Sequence, residues 1–125
     1  MYKEKLERFS DKHEHNVNML VDLCHGLARE SGWHDKPRGV GTMLALIHSE
    51  VSEALEGFRK DLNDDHLTHR KMAEVELADA VIRIFDLAGE QNFDLGGALV
   101  EKLKYNQKRQ DHKKEEREAK NGKKF

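Results

Sequence analysis

The segment Leu44-Ala45-Leu46-Ile47-His48-Ser49-Glu50-Val51-Ser52-Glu53-Ala54-Leu55-Glu56 is answered further along by Val75-Glu76-Leu77-Ala78-Asp79-Ala80-Val81-Ile82. Each half sets two carboxylates three residues apart inside an apolar pattern of helical period. At about 100° per residue, Ile47, Val51, Ala54, Leu55 and Phe58 share one helix face, with Glu50 and then Glu53 along its edge. Val75, Ala78, Ile82 and Phe85 make the corresponding face of a second helix, edged by Asp79 and Glu76. If the two helices pack antiparallel, the four carboxylates converge. Beside a low-dielectric core such a cluster repels itself or takes up protons unless a cation neutralises it, and an all-oxygen donor set suits a hard ion such as Mg²⁺. The competing reading makes them solvated carboxylates of ordinary amphipathic helices, in a chain where 37% of residues are charged.

Outward from this core, the pattern predicts two more helices. Phe9, Val17, Leu20, Cys24 and Leu27 recur at helical spacing from about Lys5 to Glu30, with His13 filling a turn, and Gly32 suits a C-terminal cap. His13 and His15 stand two apart, on different sides of a helix, which argues against a metal pair. Asp35-Lys36-Pro37-Arg38-Gly39 reads as a connection to helix two, about Val40 to Arg59. Lys60 to Arg70 is polar and turn-rich, the least ordered part of the middle, and its His66 and His69 are too few for a zinc site. Helix three, about His69 to Ala88, is apolar on a second side through Leu77 and Ile84. Either a second subunit or a wrapped-round helix one must cover that side. Phe93-Asp94 reads as a staple residue and N-cap for helix four, whose inward stripe Leu95, Ala98, Leu99 turns polar at Lys102, Asn106 and Arg109. After Arg109 the chain is charged, a solvent-exposed helix and tail over about residues 110–125.

With 125 residues, one proline and few aromatics, the chain reads as a single all-α domain. A net charge of −2 gives no reason to expect nucleic acid or a membrane surface as partner. The lone Cys24 reads as a buried structural thiol, consistent with a reducing compartment. No apolar run reaches the roughly 18 residues of a membrane span and the charged start lacks a signal-peptide core, so a cytoplasmic location is expected. Gly39-Val40-Gly41 lacks the lysine context of a phosphate loop, and Gly96-Gly97 falls within a helix pattern.

Glu50-x-x-Glu53 followed by Glu76-x-x-Asp79, then Lys102-Leu-Lys-Tyr105-Asn106-Gln-Lys-Arg109 and the closing Gly122-Lys123-Lys124-Phe125, resembles the MazG-like all-α nucleoside triphosphate pyrophosphohydrolases from about Trp33 onward. The spacer after Arg109 is longer than is common among them. The resemblance implies a four-helix antiparallel bundle that assembles as a dimer or a dimer of dimers. It implies hydrolysis of a nucleoside triphosphate, a deoxynucleotide by preference, to monophosphate and pyrophosphate. Glu50, Glu53, Glu76 and Asp79 would hold Mg²⁺, with Mn²⁺ as a substitute, and Glu53 is the first choice for accepting the attacking water's proton. Lys102 and Arg109 would hold phosphates and Asn106 would hydrogen-bond phosphate or sugar. Trp33 is either a ring covering the bundle's end or a stacking platform for the base. A ferritin-like di-iron protein is disfavoured because neither acidic motif ends in histidine. A non-catalytic helical oligomerisation or adaptor module is the alternative.

Overall fold

The computed structural model describes residues 1–109 and 114–124. The chain is all-α, with helices α1 (Tyr2–Arg8), α2 (Ser10–Glu30), α3 (Val40–Lys60), α4 (Met72–Glu90), α5 (Leu95–Lys108) and α6 (Lys114–Glu118). No described helix is long and apolar enough to cross a membrane. The expected first helix is two: Phe9 leaves helical geometry (φ −113, ψ 21), and the Ser10 hydroxyl donates back to the Leu6 carbonyl at 2.7 Å. Gln110 to Lys113 of the expected charged tail, and Phe125 of the closing Gly-Lys-Lys-Phe, lie outside the described residues.

Leu20–Phe93 form one compact unit. Its helices end in left-handed residues that turn the chain sharply. Gly32 takes φ 85, and the Trp33 and Gly32 amides donate to the Ala28 and Arg29 carbonyls, the paired bonds of a Schellman cap. Asn92 (φ 56) ends α4 in the same way, with Phe93 bonded to Ala88 and Asn92 to Gly89. Within this unit α3 and α4 pack along a seam of small residues: Ala54, Gly57, Ala73 and Ala80 are buried. A Cβ on Gly57 would lie 2.9 Å from the Ala73 backbone nitrogen, so the seam has no room for larger side chains.

That seam corrects the apolar faces expected from periodicity. Val51, Leu55 and Phe58 on α3, and Ala78 and Ile82 on α4, are exposed, while Ile47, Val75 and Phe85 are half-buried. Leu77 and Ile84, the second apolar side of α4, are also exposed at 46% and 39%. The segment expected to be the least ordered of the middle is instead tightly tied. The buried Asp64 carboxylate accepts from the His66 and Leu67 amides at 3.0 and 2.7 Å, and Asn63 bridges Lys71. Helix α4 therefore starts at Met72, with the Glu74 carboxylate accepting from the Lys71 amide at 3.1 Å.

Met1–Met19 and the chain from Asp94 onward form the other unit. Asp94 caps α5, accepting from the Gly97 amide at 2.9 Å and from the Asn18 side chain at 2.8 Å. The stripe expected to face inward, Leu95, Ala98 and Leu99, is displaced around the helix: Gly96, Gly97 and Val100 are buried, while Ala98 and Leu99 are exposed. The cause is close approach. The Gly96 amide donates to Asn18 Oδ1 at 2.8 Å, and a Cβ there would collide with the Glu14 carbonyl oxygen.

Candidate functional site

The α3–α4 seam sets the acidic residues along one of its edges. Carboxylate oxygens of Glu50, Glu76 and Asp79 lie within 4.8 Å of one another. The expected fourth member, Glu53, is exposed one turn further along α3 and still adds to the field at Glu76. A hydrogen bond with Glu50, then burial and the charges of Glu50, Asp79 and Glu53, push Glu76 up to about 7. Asp79 is also raised, first by burial and next by Glu50, while Arg83 pulls it down. Crowded carboxylates of this kind favour the neutral form of one member, or a cation among them.

Two residues join the site without having been singled out in the sequence. Arg83 Nε donates to Glu50 Oε1 at 3.0 Å, and its guanidinium stands 5.3 Å from the centre of the Trp33 ring. Arg38 approaches the same ring at 5.9 Å. Trp33 is half-buried with two guanidinium groups near its ring, immediately after the cap that ends α2. Asp64, the organiser of the α3–α4 loop, adds its charge to the field at Asp79, and the two amides it accepts hold its own carboxyl below the usual range. An i,i+4 or i,i+3 rule cannot reach across that loop. The signal for Arg83 was a cation seven residues after Glu76, on the same helix face.

In the other unit, Lys102 and Arg109 flank one aromatic ring, with the ammonium 4.8 Å and the guanidinium 5.9 Å from the centre of Tyr105. Asn106 is half-buried, and among the described residues its Oδ1 is a buried side-chain acceptor without a hydrogen-bond donor. Lys124, at the end of the tail, spends its ammonium on the carbonyls of Arg117 and Ala119 at 3.3 and 3.1 Å. His66 and His69 are exposed, as expected of solvated histidines, and Cys24 is half-buried with its thiol pushed up by burial and by the charge of Asp86.

No protein-family model, curated protein or solved structure matches the chain.

Proposed function

We propose that the chain is a Mg²⁺-dependent nucleoside triphosphate pyrophosphohydrolase of the MazG-like kind, converting a (d)NTP to monophosphate and pyrophosphate. The observation that supports it most is the acidic edge of the α3–α4 seam, where Glu76 is held at about 7 by its neighbours. A structural surface cluster gains nothing from that arrangement, whereas a divalent cation would relieve it. When bound, Mg²⁺, or Mn²⁺ in its place, supplies charge to offset the phosphates and acidifies a water.

In this reading Glu50, Glu76 and Asp79 are ligands. Glu53, on the exposed side, is a ligand or takes the proton of the water that attacks the α-phosphorus. A bond from the water oxygen to the α-phosphorus forms as the bond to the bridging oxygen breaks, and pyrophosphate leaves. Arg83 fixes Glu50 by a charge-assisted hydrogen bond, and Trp33 offers a ring face for the base. The resemblance assigns Lys102 and Arg109 to the phosphates and Asn106 to phosphate or sugar; of these two, only a sugar hydroxyl can donate to the unpartnered Asn106 Oδ1.

As such an enzyme the chain would fold as a four-helix antiparallel MazG-like bundle, assembled as a dimer or dimer of dimers in the cytoplasm. Exposed Val51, Leu55, Phe58, Leu77 and Ile84 supply apolar surface for such assembly. The same surface favours a second reading, a non-catalytic helical adaptor. Calorimetry with a non-hydrolysable deoxynucleoside triphosphate separates the two. The enzyme binds it only with Mg²⁺, and binding is lost in Glu50→Gln; the adaptor binds it in neither condition.

A further inference from the structure

A second cluster of metal-ligating side chains lies in Leu20–Phe93 and shares no residue with the acidic edge. His25 comes from α2, His34 from the connection after it, and Asp86 and Glu90 from successive turns of α4. Asp86 is 2% exposed and stands where the run Ile84-Phe85-Asp86-Leu87-Ala88 is otherwise apolar. Its Oδ1 accepts from both rings, from His25 Nδ1 at 2.9 Å and His34 Nε2 at 2.8 Å. Gly89 permits this: a Cβ there would lie 2.5 Å from the His25 Cβ, so only glycine lets the ring close against α4. The Schellman cap at Gly32 turns the chain so that His34 meets the same carboxylate.

A buried carboxylate that accepts one N–H from each ring fixes both tautomers. With protons on His25 Nδ1 and His34 Nε2, lone pairs remain on His25 Nε2 and His34 Nδ1. Both of those nitrogens face one oxygen: Glu90 Oε2 is 3.6 Å from the first and 3.5 Å from the second. Those separations exceed ordinary hydrogen bonds. They approach the spacing of about 3.3 Å between ligand atoms around a tetrahedral ion with bonds of 2.0–2.1 Å. The two ring centres are 5.1 Å apart at 69°, an edge-to-face arrangement that brings the nitrogens together without stacking the rings.

We propose that His25 Nε2, His34 Nδ1 and Glu90 form a His₂Glu site for a borderline-soft divalent transition metal of the Zn²⁺ class, with Asp86 orienting both imidazoles from behind. The donor set distinguishes it from the acidic edge, because imidazole nitrogen selects Zn²⁺-like ions and carboxylate-only sets select Mg²⁺. Three protein ligands leave a position open to water. Loading the site ties α2, the connection carrying Trp33, and α4 together through one ion. The inference stands whether or not the chain hydrolyses nucleotides.

The test is a titration of the full chain with Co²⁺, a coloured stand-in for Zn²⁺, in saturating Mg²⁺. One equivalent should bind, give visible bands of low coordination number, and be displaced by equimolar Zn²⁺ but not by more Mg²⁺. His25→Ala and His34→Ala should each weaken binding by at least about 100-fold, Asp86→Asn by roughly 10–100-fold, and Glu76→Gln should leave it unchanged. Where circular dichroism shows that a variant has not folded, the proton NMR spectrum of the Co²⁺-loaded wild type decides. Two hyperfine-shifted exchangeable imidazole N–H signals are expected, and fewer than two overturns the proposal. No Co²⁺ bound, binding unchanged in folded histidine variants, or binding lost in Glu76→Gln overturns it equally.

Discussion

Replacing Glu76 with Gln should stabilise the metal-free protein above neutral pH and leave it unchanged in acid. A hydrogen bond to Glu50, burial and three neighbouring carboxylates lift this carboxyl from 4.5 to about 7. The folded chain therefore holds the proton more tightly than the unfolded chain does. The group's contribution to stability is fully present below about 4.5 and is lost as pH rises through 7. At 1.36 kcal/mol per tenfold change in proton affinity, the full loss is roughly 3 kcal/mol. Solvent reaches this edge, and screening reduces the figure to about 1–2 kcal/mol. A glutamine amide donates to Glu50 at every pH and carries no charge, so the variant should not show the loss. Urea unfolding in EDTA at fixed protein concentration, from about pH 4.5 to 8.5, measures it. The two stability curves should meet in acid and separate through neutrality, with the variant above. Mg²⁺ at the alkaline end should then raise the wild type more than the variant. Parallel curves, or a variant less stable than wild type in alkaline EDTA, would refute the electrostatic reasoning.

Glu53→Gln and Asp79→Asn should each cut pyrophosphate release by orders of magnitude while metal-free stability holds or rises, which single-turnover rates paired with thermal melts in EDTA and Mg²⁺ would check. Trp33→Ala should weaken nucleotide binding by roughly 1–3 kcal/mol in calorimetry with the fold intact; an unchanged affinity would make the ring a structural cover only. If the proposed assembly forms through α4, Leu77→Lys combined with Ile84→Lys should dissociate it in sedimentation, since unpaired ammonium groups cannot be buried in an apolar interface. An unchanged oligomer, or a wild-type monomer, would place the contact elsewhere or remove it.

The helices and the two acidic pairs were legible because both are local. Periodicity places Glu50 and Glu53 on one turn, and Glu76 and Asp79 on another, and the Asp94 cap precedes its helix by one residue. Which face each helix buries was legible only in part: Ala54 lies on the expected α3 face and is buried, and Ile47, Val75 and Phe85 are half-buried. Counting large apolar residues selects Val51, Leu55 and Ile82, whereas α3 and α4 meet through Ala54, Gly57, Ala73 and Ala80, where closeness of backbones matters more than side-chain volume. Gly96 displaced the α5 stripe for the same reason. Long-range pairs were out of reach as well. Nothing local in the sequence joins His25 to His34; Asp86, more than fifty residues on, brings them together. Asp86 did leave a sign, an acid in an apolar helical run, where burial without a partner would cost several kcal/mol. The break at Phe9 left none, since Lys5 to Leu27 keeps one period throughout.

Hydrolysis in ¹⁸O-labelled water of a panel of common and modified nucleoside triphosphates, with Mg²⁺ or with EDTA, decides whether the chain is a pyrophosphohydrolase. At least one triphosphate should give monophosphate and pyrophosphate only when Mg²⁺ is present, with the label in the monophosphate because water attacks the α-phosphorus. No Mg²⁺-dependent turnover of any member would rule out the proposed activity, and label in the pyrophosphate would move the attack off the α-phosphorus.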